Sequence, residues 1–201
     1  MMLSDVRVLV ISGSSREGSF NRQLAAVAAG LATQAGAAVT TVDLRSLELP
    51  IYDEDLLSSK GAPEGARRLV RLFAEHDALL LATPEYNGFP TPLLINALDW
   101  ASVMPAADGQ PSGSAAFAGT VAGLLSASPG AFGGLRSLLA TRQFLQMNLG
   151  MLVVPEQFGL VRADQAFDAA AALVDATALA GVARVVDAVL RTARSLKAVA
   201  L

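Results

Sequence analysis

The sequence contains no cysteine. Disulfides, thiolate nucleophiles and zinc–thiolate centres are therefore excluded. Only one histidine is present, and aromatic residues make up just 5% of the chain, so imidazole chemistry could rest on a single position. No apolar run reaches the ~18 residues of a membrane span, although 53% of the residues are apolar. The stretch Met1–Asp5 has no basic segment leading into an apolar core, so no export signal is read and a cytoplasmic location is expected. The net charge is −3 and no basic stripe appears, which argues against nucleic acid as a partner. A length of 201 residues suits one domain spanning 1–201 with a sizeable core.

What is present is a regular alternation of strand and helix patterns. Strands are expected at Val6–Ser12, Val39–Asp43, Ala78–Thr83, Thr120–Ser126 and Met151–Val154, the last stopped by Pro155. Helices are expected at Phe20–Gln34, Pro63–Glu75, from the Thr91 cap and Pro92 to Val103, and at Gly133–Asn148. A final helix or helix pair spans Asp168–Val199, with an apolar stripe of Val182, Val185, Val186, Val189, Leu190 and Ala193. Leu44–Gly61 reads as a loop whose acidic cluster, Asp53 to Asp55, faces solvent, and Met104–Gly119 reads as a mobile or inserted loop. The alternation predicts a doubly wound α/β fold with a five-stranded parallel sheet of order 2-1-3-4-5. In such a sheet the ligand sits beyond the carboxyl ends of the strands, where strands one and three diverge.

The first loop at that edge is Gly13-Ser14-Ser15-Arg16-Glu17-Gly18-Ser19-Phe20-Asn21. Gly13 and Gly18 let the backbone bend, Ser19 is a helix cap, and the free N–H groups beyond it form an anion site. Arg16 adds a full charge, and Ser14, Ser15 and Asn21 add short donors. The two glycines have the spacing of G-x-x-x-x-G-K-S/T, but Ser19 and Phe20 stand where the lysine and hydroxyl should be, which argues against an NTPase. Ser15 occupies the second glycine of G-x-G-x-x-G, which argues against a pyrophosphate. A terminal monophosphate fits best; the competing reading is an ordinary hydrophilic βα turn.

The loop after strand three, Thr83 to Thr91, suits a flat heteroaromatic ligand. Pro84 and Pro90 stiffen it, Gly88 permits close approach, Tyr86 and Phe89 offer apolar faces, and Asn87 offers a donor and an acceptor. Glu85 could pair with a basic group or face solvent. After strand four, Ser126 to Gly134 is a small-residue loop with room for a ring, in which Ser126 and Ser128 are the polar members. His76 falls between helix two and strand three, on the opposite edge, and is read as a helix-end residue. Asp43 is read as an ordinary strand-end carboxylate, with a ribose-binding role in an NAD-binding enzyme as the rival.

These motifs resemble the NADPH-dependent FMN reductase family, which includes flavodoxin-like quinone, azo-dye and chromate reductases. The phosphate loop, Pro84-Glu85-Tyr86-Asn87, Asn96-Ala97-Leu98-Asp99-Trp100 and Ser128-Pro129-Gly130 with Gly133-Gly134 carry the likeness, from about Val6 to Phe158. The resemblance implies a flavodoxin-like fold, non-covalent FMN, and hydride transfer from NAD(P)H through the flavin to a small-molecule acceptor. It places the phosphate at Ser14 to Asn21 and the ring at Pro84 to Asn87, near Ser126 and Ser128. No side chain is assigned as a catalytic acid or base, and no metal is implied. A flavodoxin-type electron carrier is the alternative. Helix three, with Leu93, Leu94, Ala97, Leu98, Trp100 and Ala101, is apolar around much of its circumference, so a homodimer or tetramer is expected. The stretch Ala106–Phe117 is longer than the corresponding family connector.

Overall fold

The structure, a computed structural model, describes residues 6–199. The stretch Met1–Asp5, read above for an export signal, lies outside them. Strands β1 (Arg7–Ser12), β2 (Ala38–Asp43), β3 (Ala78–Ala82), β4 (Val121–Ala127) and β5 (Leu152–Leu160) form one sheet, all parallel, in the order β2-β1-β3-β4-β5. Seven helices accompany them among the described residues: α1 (Phe20–Gln34), α2 (Glu54–Lys60), α3 (Glu64–Glu75), α4 (Pro92–Ser102), α5 (Gly113–Phe117), α6 (Leu135–Met147) and α7 (Ala176–Val199). None is long and apolar enough to cross a membrane.

Side chains alternate across the sheet and divide the core in two. Leu9, Ile11, Leu79, Leu81 and Leu124 pack with residues of α3, α4, α5 and α6. Val8, Val10, Leu80 and Leu125 pack with α1 and α7. Burial on both faces is why β1 and β3 read as near-continuous apolar runs. The stripe on α7 is buried as its spacing required.

Four expectations need correction. The segment after β2 is not a plain loop: it holds a 3-10 turn, Leu44–Leu47, and then α2. Asp53 caps α2 by accepting from the N–H groups of Asp55 and Leu56, and Glu54 accepts from the Tyr52 hydroxyl at 2.5 Å. Seven residues with no buried member leave no apolar period to read. Met104–Gly119 is not all loop: residues 105–109 are exposed, but the rest holds a short helix. A turn pairs Ala107 with Gln110, and α5 buries Phe117 edge-on against Phe73 at 4.6 Å.

The fifth strand does not stop at Pro155. It runs on to Leu160, and its pairing with β4 slips between Ala122 and Leu124, which face Val153 and Gln157. A proline without an N–H is tolerated there because β5 is an edge strand and the ladder is already irregular. The last helix is single and starts at Ala176. Asp168 instead builds a turn, accepting from the N–H groups of Ala170 and Ala172.

Candidate active site

The loops after β1, β3 and β4 meet at one edge of the sheet because those three strands are neighbours. The Gly13 N–H donates to the Ala82 carbonyl at 2.9 Å, and the Thr91 hydroxyl donates to the Gly13 carbonyl at 2.5 Å. The first loop therefore starts pinned to both ends of the second. Ser19 caps α1, its hydroxyl accepting from the N–H groups of Asn21 and Arg22 at 3.2 and 3.4 Å. The N–H groups of Ser15, Glu17, Gly18 and Phe20 make no hydrogen bond among the described residues. They lie in the turn that leads into α1, where the helix dipole is positive.

Arg16 is exposed. Its guanidinium carbon lies 5.0 Å from the centre of the Phe20 ring, and Nη2 donates to the Gly18 carbonyl at 3.4 Å. The Phe20 ring is stacked in turn on Phe167, with centroids 6.4 Å apart. A second arginine, unforeseen from the sequence, supports the loop from below. Arg22 donates through Nε to the Ser14 carbonyl at 3.3 Å and through Nη2 to Asp43 at 2.5 Å. Asp43 also accepts from Arg45. Burial alone would raise the Asp43 pKa, but the contacts to Arg45 and Arg22 outweigh it and hold the carboxyl below its ordinary value. This carboxylate is engaged by two arginines of its own chain, which speaks for the strand-end reading over a ribose contact. His76 caps the end of α3, with Nε2 2.8 Å from the Thr40 hydroxyl.

Asn21 is a correction to the donor set. Its side chain is buried and bonded at both ends to Ala127, across the site from the phosphate loop. Its own N–H already serves the Ser19 cap. The geometry makes Asn21 a clamp between α1 and β4, so its side chain is not a free donor on the loop.

In the second loop, Tyr86 and Phe89 exchange backbone hydrogen bonds of 2.9 and 3.0 Å. Asn87 (φ 53°) and Gly88 (φ 89°) form the two-residue turn between them, a conformation suited to Asn-Gly. The turn leaves the Tyr86 and Phe89 rings exposed at the rim. Glu85 takes the first of its two foreseen roles and pairs with a base. Its carboxylate accepts from the Arg136 N–H at 3.1 Å, the Ser137 N–H at 3.3 Å and Arg136 Nε at 2.8 Å, and also contacts Arg136 Nη2. Burial works to raise the Glu85 pKa, and these donors lower it below the ordinary value. Arg136 carries no sequence signal, because its partner is 51 residues away.

In the third loop the Ser128 hydroxyl accepts from the Gly130 N–H at 3.1 Å. Ser126 is fully buried, and its hydroxyl has no hydrogen-bond partner among the described residues. A Cβ on Gly134 would lie 1.9 Å from that oxygen. Only glycine lets the start of α6 come so close.

A doubly wound parallel sheet of this order, with three loops gathered at one edge, defines a flavodoxin-like fold. Residues 6–165 match the family described as NADPH-dependent FMN reductase, and the chain belongs to that family. It is 38% identical over 175 residues to an NAD(P)H-dependent FMN reductase of Pseudomonas aeruginosa, covering 87% of this chain and 88% of that one. A quinone reductase of Pseudomonas putida is 34% identical over 152 residues, covering 75% and 76%. Among solved structures, the flavoenzyme NAD(P)H:(acceptor) oxidoreductase FerB from Paracoccus denitrificans superposes with a TM-score of 0.74 at 26% identity, covering 94% of this chain and 98% of that one.

Proposed function

We propose that this chain is an FMN-dependent NAD(P)H oxidoreductase that reduces quinones, free flavin, azo compounds or similar small acceptors by ping-pong hydride transfer. The observation that carries this reading is the family match over residues 6–165, the span that holds all three loops.

The residues fit FMN. The unbonded N–H groups of the first loop, with Ser14, Ser15, Ser19 and Arg16, suit a terminal phosphate. Pro84, Tyr86, Asn87 and Gly88 on one side, and Ser126 and Ser128 on the other, bound a slot for a flat ring. Of these two serines, Ser128 is half-buried, whereas Ser126 is fully buried against Gly134 and its hydroxyl is not open to the slot. When bound, FMN supplies a two-electron couple that takes hydride at N5 and passes it to an acceptor. The chain's own task is to bind, orient and shield. Arg16 and the loop N–H groups anchor one end, and the stiff Pro84–Gly88 turn sets the plane of the other. The exposed Tyr86 and Phe89 line the entrance for donor and acceptor in turn. No side chain is assigned a proton-transfer role.

The deciding test is the visible spectrum of the purified protein, followed by anaerobic addition of NADPH. A yellow protein that bleaches supports the enzyme. A yellow protein that keeps its colour would favour the electron-carrier alternative, and a protein taking up no flavin would refute both.

We further place the protein in the cytoplasm, where the NAD(P)H donor pool resides, and propose a homodimer or tetramer. The motive changes on structural grounds. Trp100 is buried and donates from its indole N–H to the Pro50 carbonyl at 2.7 Å, so it is not available to a partner. An apolar surface beside it is formed by the exposed Ile51, from the loop before α2, with the half-buried Leu93 and Ile95 of α4. Light scattering at micromolar concentration checks it.

A further inference from the structure

We propose that Glu85 is a positioning residue that sets the spacing of the flavin slot without touching the cofactor. The inference rests on the FMN reading above. It begins with a deficit: α6 opens at Gly134, which has no side chain to cap it. The first N–H groups of a helix need acceptors from elsewhere. Glu85 supplies them from the opposite wall of the slot, accepting from Arg136 N and Ser137 N at 3.1 and 3.3 Å. An acid at a helix N-terminus is also favoured by the helix dipole.

The same carboxylate holds the Arg136 guanidinium through Nε and Nη2. A carboxylate has about four lone-pair sites, and four donors from α6 fill them. No capacity remains for a ring nitrogen or carbonyl partner. The burial agrees: the Glu85 side chain is 10% exposed, beneath an Arg136 side chain that is 68% exposed. Arg136 Cδ lies 4.0 Å from where a Cβ on Gly88 would stand, so this side chain runs along the ring loop as a cover. A second tie joins the same two walls, the Ser137 hydroxyl donating to the Pro84 carbonyl at 3.2 Å. Glu85 thus joins the ring loop to the helix whose start crowds Ser126. Loosening it widens the slot where the isoalloxazine sits and leaves the phosphate loop alone.

The test compares Glu85→Ala, Glu85→Gln and Ser137→Ala with wild type, by titrating apoprotein with FMN and with riboflavin. Glu85→Ala is expected to weaken both ligands by the same factor, about tenfold. The bound flavin band should also lose its fine structure, a change that fold stability alone would not produce. Glu85→Gln keeps an acceptor for the helix N–H groups and should recover part of the affinity and the spectrum. Ser137→Ala should move both readouts in the same direction, less far. A folded Glu85→Ala with wild-type affinities and spectrum overturns the inference. So does a loss confined to FMN, which would put Glu85 at the phosphate. Should Glu85→Ala fail to fold by circular dichroism, wild-type riboflavin binding and spectra in both other variants overturn it. Wild-type protein that binds no flavin overturns the FMN reading itself, which is a separate failure.

Discussion

Asn21 and Ala127, 106 residues apart, exchange two hydrogen bonds: Asn21 Nδ2 donates to the Ala127 carbonyl at 2.8 Å, and the Ala127 N–H donates to Asn21 Oδ1 at 2.9 Å. A side-chain amide here mimics a neighbouring strand. It closes the end of β4 and locks the start of α1 against it, so the first and third loops are referenced to each other. Asn21→Ala would leave the Ala127 N–H and carbonyl without these partners, and a buried unsatisfied group costs about 1–3 kcal/mol. A total loss of roughly 2–4 kcal/mol is expected in urea unfolding. FMN and riboflavin should both bind less well. A change within about 0.5 kcal/mol would show that the clamp adds nothing beyond an ordinary surface position.

Arg16 should separate phosphate from ring. A charge-assisted hydrogen bond is worth about 1.5–3 kcal/mol, which is roughly a ten- to 150-fold loss of FMN affinity for Arg16→Ala. Riboflavin lacks the phosphate and should bind as before. In the structure the guanidinium lies over the Phe20 ring and donates to the Gly18 carbonyl within the same loop. Fluorescence titration of both flavins gives the answer, and unchanged FMN binding would leave the phosphate to the backbone N–H groups alone.

Acid stability should report on Asp43. Its folded pKa is depressed, so the unfolded state binds the proton more readily, and stability rises with pH across the transition. The contribution is complete above the ordinary value of 3.8 and is lost as the pH falls below it through the depressed folded value. Its size is modest because the side chain is 37% exposed and screened by solvent. The urea midpoint of wild type should exceed that of Asp43→Asn near pH 5, and the two should converge in acid. A gap that persists or widens at low pH would rule out this linkage.

Acceptor choice should be loose. Tyr86, Phe89 and Phe132 are exposed on these loops, with Arg136 the charged group beside Gly88 and the Glu85 side chain 10% exposed beneath it. A mainly apolar entrance rejects little by leaving polar groups unpaired. Parallel double-reciprocal lines with NADPH and a quinone are expected, with several quinones accepted. Intersecting lines would mean that donor and acceptor occupy the site together.

The fold was legible because its elements are local. Strand and helix periods, the Ser19 and Thr91 caps and the apolar stripe of α7 depend on residues a few positions apart, and the parallel order follows from their alternation. Short or irregular pieces were not legible. The seven residues of α2 and the five of α5 complete too few turns to show a period, and β5 continues beyond Pro155 only because it lies at an edge.

The sequence by itself determined which strands exist, in what order they pair, and which loops gather at one edge of the sheet. Tertiary structure alone decided how those loops are held. Asn21 with Ala127, Arg22 with Asp43, and Glu85 with Arg136 join residues 21 to 106 positions apart. A polar side chain carries its donors and acceptors in its own covalent structure. Which partner satisfies them depends on what the folded chain brings within about 3 Å, and no local pattern records that.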